Sequence, residues 1–302
     1  MKRISLAGAV MALLAWIVAG AVAAGPSRGQ SLPPELARDM GAAFDPGVPS
    51  GQKMFLLAIG SDARPGHAAT RSLADSLHII GVNPKTGTAS ILGIPRDSYV
   101  PVPGGGASKI NATLFRGGPE LTVRTVERLS RIRIDAYLLT GFEGFRRMVT
   151  EIGGLDVRVP YPMSDASSGA RFRAGPTRFD GPEALAFSRN RHDAPGGDFG
   201  RSLNQGSVLV AALRELHEDA RRDPLTLYRW MAAGFQNLQT DLALGEMFDL
   251  AMAALSIDPS RVRNRVVSGG GGTVGGQSVV RLGAEAQRLF RDLARDGMLG
   301  GR

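Results

Sequence analysis

The stretch 54–98, MFLLAIGSDARPGHAATRSLADSLHIIGVNPKTGTASILGIPRDS, decides the fold class. It holds three short apolar runs, Met54–Ile59, Leu77–Val82 and Ala89–Ile94. Runs of this length bounded by glycine, proline and polar clusters read as buried strands. Asn83-Pro84-Lys85-Thr86-Gly87 between the second and third is a turn signal. Outward from this stretch the period changes. Glu120–Leu129 has helical spacing, with Leu121, Val126 and Leu129 on one side. Ala136–Leu139 reads as a strand, Phe142–Ile152 as a helix stopped by Gly153-Gly154, and Leu155–Val159 as a half-exposed strand. Gly181–Phe187, Gln205–Arg221 and Ala284–Arg295 read as helices, and Arg229–Leu255 as helical with a break around Asn237–Asp241. Short strands are expected at Arg265–Val267 and Ser278–Leu282, around a Gly269–Gly276 loop. Strands interleaved with helices predict an α/β layered domain with helices on both faces of the sheet.

Upstream, Lys2 and Arg3 precede an uncharged stretch from Ile4 to Pro26. It is long enough to span a bilayer, which takes ~20 residues. It also ends in Ala21-Val22-Ala23, a small-residue pattern of the kind signal peptidases cut. Residues 1–25 are therefore expected to be a signal anchor or signal peptide, with the rest of the chain outside the cytoplasm. Residues 26–52, rich in Pro, Gly and Ser, read as a linker, and residues 53–302 as one folded domain.

Composition narrows the chemistry. The chain has no cysteine, which excludes disulfide scaffolds, thiol nucleophiles and thiolate metal sites. Its 4 histidines show no paired spacing, so any metal is expected to be a hard cation on carboxylates. The net charge is +8, nearly all of it from arginine. Guanidinium forks suit phosphate and carboxylate groups. No helix-turn-helix, zinc-finger or aromatic RNA-binding signature accompanies them, so nucleic acid is not an expected partner.

Four clusters combine Asp and Arg with Gly or Pro at the ends of expected elements. They are Gly60–Gly66, Arg71–Ser76, Ile94–Ser98, and the block from Ser188 to Gln205. Ligand crevices of open α/β sheets lie at strand ends. Asp62 and Asp75 flank one loop and can share a divalent cation, while the arginines can hold anionic oxygens by paired hydrogen bonds. A metal with arginines is what phosphoryl transfer requires. The bland alternative, caps and surface ion pairs, fits any one cluster taken alone.

From Lys53 to about Leu216 the chain resembles the LytR-CpsA-Psr family of bacterial envelope proteins. The resemblance rests on GSDARPG (60–66), RSLADS (71–76), GIPRDSYVPVPG (93–104), SKINATLFRGGPELTVRTVERL (108–129), IDAYLLTGFEGFRRMVTEIGGLDV (134–157) and FDGPEALAFSRNRHDAPGGDFGR (179–201), continuing into RSLNQ (201–205). These occur in the family's order, and make 53–216 the motif core and 217–302 a C-terminal extension. The resemblance implies a membrane-anchored enzyme outside the cytoplasm, built as a three-layer α/β/α domain with a mixed central sheet. Such an enzyme moves a glycopolymer from a polyprenyl pyrophosphate carrier onto peptidoglycan through a phosphodiester, with Mg²⁺ (Mn²⁺ in its place) as cofactor. It implies Asp62 and Asp75 as the metal-placing pair and Arg96 beside the scissile phosphate, with Asp97 orienting it. Arg189, Arg191 and Arg201 would form the pyrophosphate clamp, with Lys109, Asp198 and Gln205 supporting it. Here Leu73-Ala74 separate Arg71-Ser72 from Asp75-Ser76, where many members run without the gap. A polyprenyl tail needs an apolar tunnel, for which Leu121, Phe142, Phe145, Met148, Val149, Val208 and Leu209 are candidates. The alternatives are a wall protein that binds lipid-linked polymer without turnover, and a polyprenyl pyrophosphatase.

Overall fold

The computed structural model describes residues 53–300. The expected anchor at 1–25 and linker at 26–52 lie outside the described residues. Within them, no helix is long and apolar enough to cross a membrane.

The three apolar runs form the centre of the molecule. β1 (Met54–Ser61), β2 (Ala74–Asn83) and β3 (Thr88–Gly93) pair antiparallel in succession. Two further strands join in parallel: β6 (Ala136–Gly141) along β1, and β12 (Arg263–Val266) along β3. The short β11 (Gln239–Thr240) closes one edge antiparallel, which gives the order β11-β6-β1-β2-β3-β12. The sheet is therefore mixed, as expected. β3 is buried along its whole length, because helices cover both faces.

Alternation along the strands separates those faces. Leu57, Ile59, Leu77, Ile79 and Leu92 point to one side. There they meet Leu114 and Val126 of α1 (Ala112–Ser130) and Phe290 and Leu293 of α7 (Ala284–Asp296). On the other side Ile80 and Val82 meet Leu213 of α4 (Asp198–Arg222). A second core joins Val208 and Ala211 of α4 to Val149 of α2 (Phe142–Glu151), Ala184 and Phe187 of α3 (Gly181–Arg189), and Ala233 of α5 (Thr226–Asn237). It also takes in the hairpin of β7 (Leu155–Val159) and β10 (Gly175–Phe179).

Several boundaries differ from the sequence reading. α1 begins at Ala112, eight positions ahead of the expected Glu120, and is kinked at Gly117-Gly118, where Gly118 has φ 69°. α4 begins at Asp198 rather than Gln205. The Gly269–Gly276 segment is no loop for most of its length: Gly269–Val274 is β13, paired with β14 (Gln277–Leu282) around a Gly275-Gly276 turn. The seven candidate tunnel residues do not share one space. Leu121 stands on α1, on one side of the sheet, whereas Val149 and Val208, with Phe145 and Met148 against them, are in the second core on the other. The extension is integral, since it supplies β11, β12 and α7 to the sheet and core.

Candidate functional site

Strand order sets out the site. β1 and β6 run one way and β2 the other, so the ends of β1, β3 and β6 and the start of β2 meet at one end of the sheet. Across that end stand Phe142 after β6, Asp62 after β1, Asp75 as the second residue of β2, and Arg96 after β3. Neighbouring strands lie about 4.8 Å apart, so the row is about 14 Å wide.

A β-bulge aims Asp75. Gly60 pairs with Ser76 but Ser61 pairs with Ala74, which leaves Asp75 as the extra residue of β2. Bulges re-aim side chains beside functional sites. Asp75 is 8% exposed, and its Oδ1 accepts from Arg96 and, at 3.2 Å, from Arg201 Nη1. Arg201 Nη2 lies 2.6 Å from Asp198 Oδ1, one helical turn earlier on α4, and Arg96 Nε lies 3.6 Å from the same oxygen. Asp97 Oδ1 pairs with Lys109 Nζ at 2.9 Å, and its Oδ2 lies 4.0 Å from Arg96 Nε. Arg96, Arg201 and Lys109 thus interlock with Asp75, Asp97 and Asp198, three cations against three anions.

The electrostatics follow from burial. Desolvation works against the charge of Arg96, but Asp75, Asp198 and Asp97 outweigh it and hold the guanidinium above its ordinary pKa. Burial pushes the Asp198 carboxyl up, against the pull of Arg201 and Arg96. Arg96 Nε, Arg201 Nε and both Asp198 oxygens are buried without an aligned hydrogen-bond partner among the described residues. Buried polar groups are normally satisfied, so the two guanidinium Nε donors are capacity that the described residues leave unused.

Gln205 ties this cluster to the next one. Its Nε2 donates to the Ser188 carbonyl at 3.1 Å and lies 3.5 Å from that of Asp75. Arg189, the last residue of α3, places its guanidinium 4.9 Å from the centre of the Phe142 ring, a cation–π contact at the β6 end of the row. Arg191 is exposed and makes no ion pair or side-chain hydrogen bond among the described residues. Arg71 is likewise exposed, at the end of a 3₁₀ turn.

Asp62 turns back on its own loop, its Oδ1 accepting from the Leu73 amide at 2.8 Å and its amide donating to the Leu73 carbonyl at 2.9 Å. This brackets Asp62 two residues from Asp75. Each carboxylate has one oxygen committed to these bonds and one outside them. Two such oxygens fit a hard cation that keeps several waters or substrate oxygens.

Sequence reasoning missed the polar residues beneath the charges. Asn190, fully buried, donates from Nδ2 to Asp193 Oδ2 at 2.8 Å, and the Ser164 amide donates to the same oxygen at 2.8 Å. That pair fastens the loop after α3 to β8 (Met163–Asp165). His78 bonds to Ser76 and Ser202 below Asp75 and Arg201. A lone histidine in the apolar run LHIIGV was the available signal.

The arrangement has counterparts. A family model described as the LytR_cpsA_psr family matches residues 37–293, through most of the C-terminal extension. The "polyisoprenyl-teichoic acid--peptidoglycan teichoic acid transferase TagU" of Bacillus mycoides (strain KBAB4) is 34% identical over 205 residues, 67% of this chain. The matched part spans 65% of that relative's length. The crystal structure of B. subtilis TagV superimposes with a TM-score of 0.69 at 27% identity, covering 82% of this chain and 98% of TagV. A structure of TagT bound to LI-WTA gives 0.67 at 27% identity, covering 84% and 92%. With the family pattern running through sheet, charged row and C-terminal helix alike, the chain belongs to the LytR_cpsA_psr family.

Proposed function

We propose that this protein is a phosphotransferase that moves a glycopolymer from a polyprenyl pyrophosphate carrier onto peptidoglycan. The observation that carries the reading is the buried Arg96–Asp75–Arg201–Asp198 cluster at the sheet end, with guanidinium donors left over. Family membership and relatives named as teichoic acid transferases support it. In the reaction a sugar hydroxyl of the acceptor loses its proton and forms a P–O bond to the glycopolymer-bearing phosphorus. The P–O bond to the lipid phosphate breaks and the departing phosphate takes up that proton, which leaves a phosphodiester and polyprenyl phosphate. Arg96 and Arg201 hold the equatorial oxygens, where charge gathers in the transition state. Arg189, steadied on Phe142, meets the far end of the pyrophosphate.

The interlocked cluster is already neutral, so a pyrophosphate with two or more negative charges brings an excess. Asp62 and Asp75 would hold Mg²⁺, with Mn²⁺ able to replace it. When bound, the ion neutralises pyrophosphate charge and makes the lipid phosphate a better leaving group. The reaction needs no nucleotide, because the lipid-linked pyrophosphate carries the energy. That suits a domain held outside the cytoplasm by residues 1–25.

The test is transfer from a synthetic lipid-linked sugar pyrophosphate to a peptidoglycan fragment, with and without Mg²⁺, and melting temperature as the folding control. Arg96→Ala and Arg201→Ala are expected to lose about a hundredfold in rate, the scale of one donor to a developing phosphate charge. Arg96→Lys keeps the charge but loses the fork and is also expected to be impaired. The double variant Asp62→Ala, Asp75→Ala is expected to lose the metal response. Native melting with near-native rates in the arginine variants overturns the reading.

A further inference from the structure

His78 is a titratable side chain within the core, 1% exposed, that the proposed chemistry does not use. It lies on β2 three residues after Asp75, and its ring spans the gap to α4. Nε2 lies 3.0 Å from the Ser202 carbonyl, and a carbonyl only accepts, so Nε2 carries the proton. Nδ1 lies 3.1 Å from Ser76 Oγ and in the neutral ring accepts from the Ser76 hydroxyl. Ser76 follows Asp75 directly and Ser202 follows Arg201 directly. One neutral ring thus connects the residues adjoining both partners of the 3.2 Å Arg201–Asp75 bond.

The seat beneath is fitted to this arrangement. Gly93 of β3 is the register partner of His78. A Cβ on Gly93 would collide with Ser202 Oγ and come within 3.2 Å of His78 Nε2. Gly206, one turn along α4, likewise leaves no room for a Cβ against Asn264 of β12. The height of α4 over the sheet is therefore set by close approach at two glycines and by one directional hydrogen bond, at the turn that carries Arg201.

We infer that His78 is a positioning residue of the site, its imidazole joining β2 to α4 so that Arg201 and Asp75 meet in a fixed register. The inference rests on the proposed phosphotransfer, and its effect is exerted through Arg201. Misplacing a catalytic group by about an ångström costs up to about a hundredfold in rate. His78→Leu, which fills the space but makes neither bond, is expected to lower kcat 10- to 100-fold (about the scale of such a displacement) with KM little changed. His78→Gln can keep the Nε2 bond to Ser202 and is expected to recover most of that loss.

The deciding measurement is a double-mutant cycle with Arg201→Ala, using the synthetic lipid-linked sugar pyrophosphate and Mg²⁺ well below the melting temperature. If His78 acts through Arg201, His78→Leu costs nothing further in the Arg201→Ala background. Equal losses in both backgrounds, or a His78→Leu variant as active as the wild type, overturn the inference. Should the wild type itself be inert, the functional reading fails. The same cycle read in melting temperatures then decides, because a register held by His78 predicts non-additive shifts and independent roles predict additive ones. If His78→Leu does not fold, His78→Asn carries the test, since its shorter side chain falls short of the Ser202 carbonyl. The inference stands if His78→Asn lowers kcat in the Arg201 background but not in the Arg201→Ala background, and falls otherwise.

Discussion

Arg201 carries a permanent charge to a place where only 4% of its surface meets solvent. Burying an ion costs several kcal/mol unless its partners are in place. Asp75 and Asp198 supply them, and each is itself held by Arg96, so no member of the set is independent. His78 shows the opposite solution to burial, which is to stay neutral. Desolvation lowers its pKa from 6.5 to about 4, against the smaller upward pull of the Ser202 carbonyl. Between those two values the unfolded chain binds a proton that the folded chain does not. The part of the stability that depends on His78 is therefore complete above about pH 6.5 and falls as the pH drops toward 4, by about 3 kcal/mol at the lower end. Urea unfolding across this range is expected to show that slope in the wild type and a shallower one in His78→Gln. Equal slopes would mean that His78 is protonated in the folded protein. At this scale the sequence was legible for charge and opaque for neutrality. The Asp and Arg residues announced themselves beside Gly and Pro. His78 did not, because its partner Ser202, 124 positions away, is assigned only by folding.

Elements met the sequence reading where packing and propensity agree, and departed where one overrode the other. The Gly269–Gly272 run has weak strand propensity and reads as a loop. It forms β13 because the Gln277–Leu282 strand pairs with it and because the Val280 amide donates to the Asp97 carbonyl at 2.9 Å, docking the hairpin beside Arg96. α1 reads as starting after Gly117-Gly118-Pro119, a plausible helix boundary. The structure carries helix on both sides of the kink, with Gly118 in the left-handed region. Glycine in helices separates into two kinds here. At Gly181 a Cβ would strike the Arg146 carbonyl of α2, a backbone atom that cannot swing away. Gly181→Ala is expected to destabilise by about 1–3 kcal/mol or more. Gly245, within α6 (Leu244–Leu255), has nothing within 4 Å of its Cβ position. Gly245→Ala is expected to stabilise by about 0.5–1 kcal/mol. Thermal melts of the two variants should move in opposite directions, and a common direction would refute the close approach at Gly181.

Across the whole molecule the C-terminal extension completes the core. Phe290 and Leu293 are fully buried among strand residues from β1 to β3. Lys53 Nζ donates at 2.8 Å to the carbonyls of Ala294 and Arg295, joining the first described residue to the end of the last helix. The Leu299 amide donates to Ser90 Oγ at 2.9 Å, under the sheet's central strands. Phe290→Ala is expected to cost about 3–5 kcal/mol, and a chain ending at 283 is expected not to fold cooperatively. Calorimetry of both checks this, and a sharp native-like transition in the shortened chain would make the extension an accessory. By itself the sequence determined the α/β class, the three central strands and the roster of charged residues at their ends, because strand and helix periods and turn residues are local properties. Only the tertiary structure decided which charges meet. Arg96 and Arg201 come together through Asp75 because a bulge in β2 and the seat of α4 on Gly93 bring three distant segments to one strand end. Ion pairing and burial act through space at separations that no local pattern encodes, so the row of charges is a property of the fold.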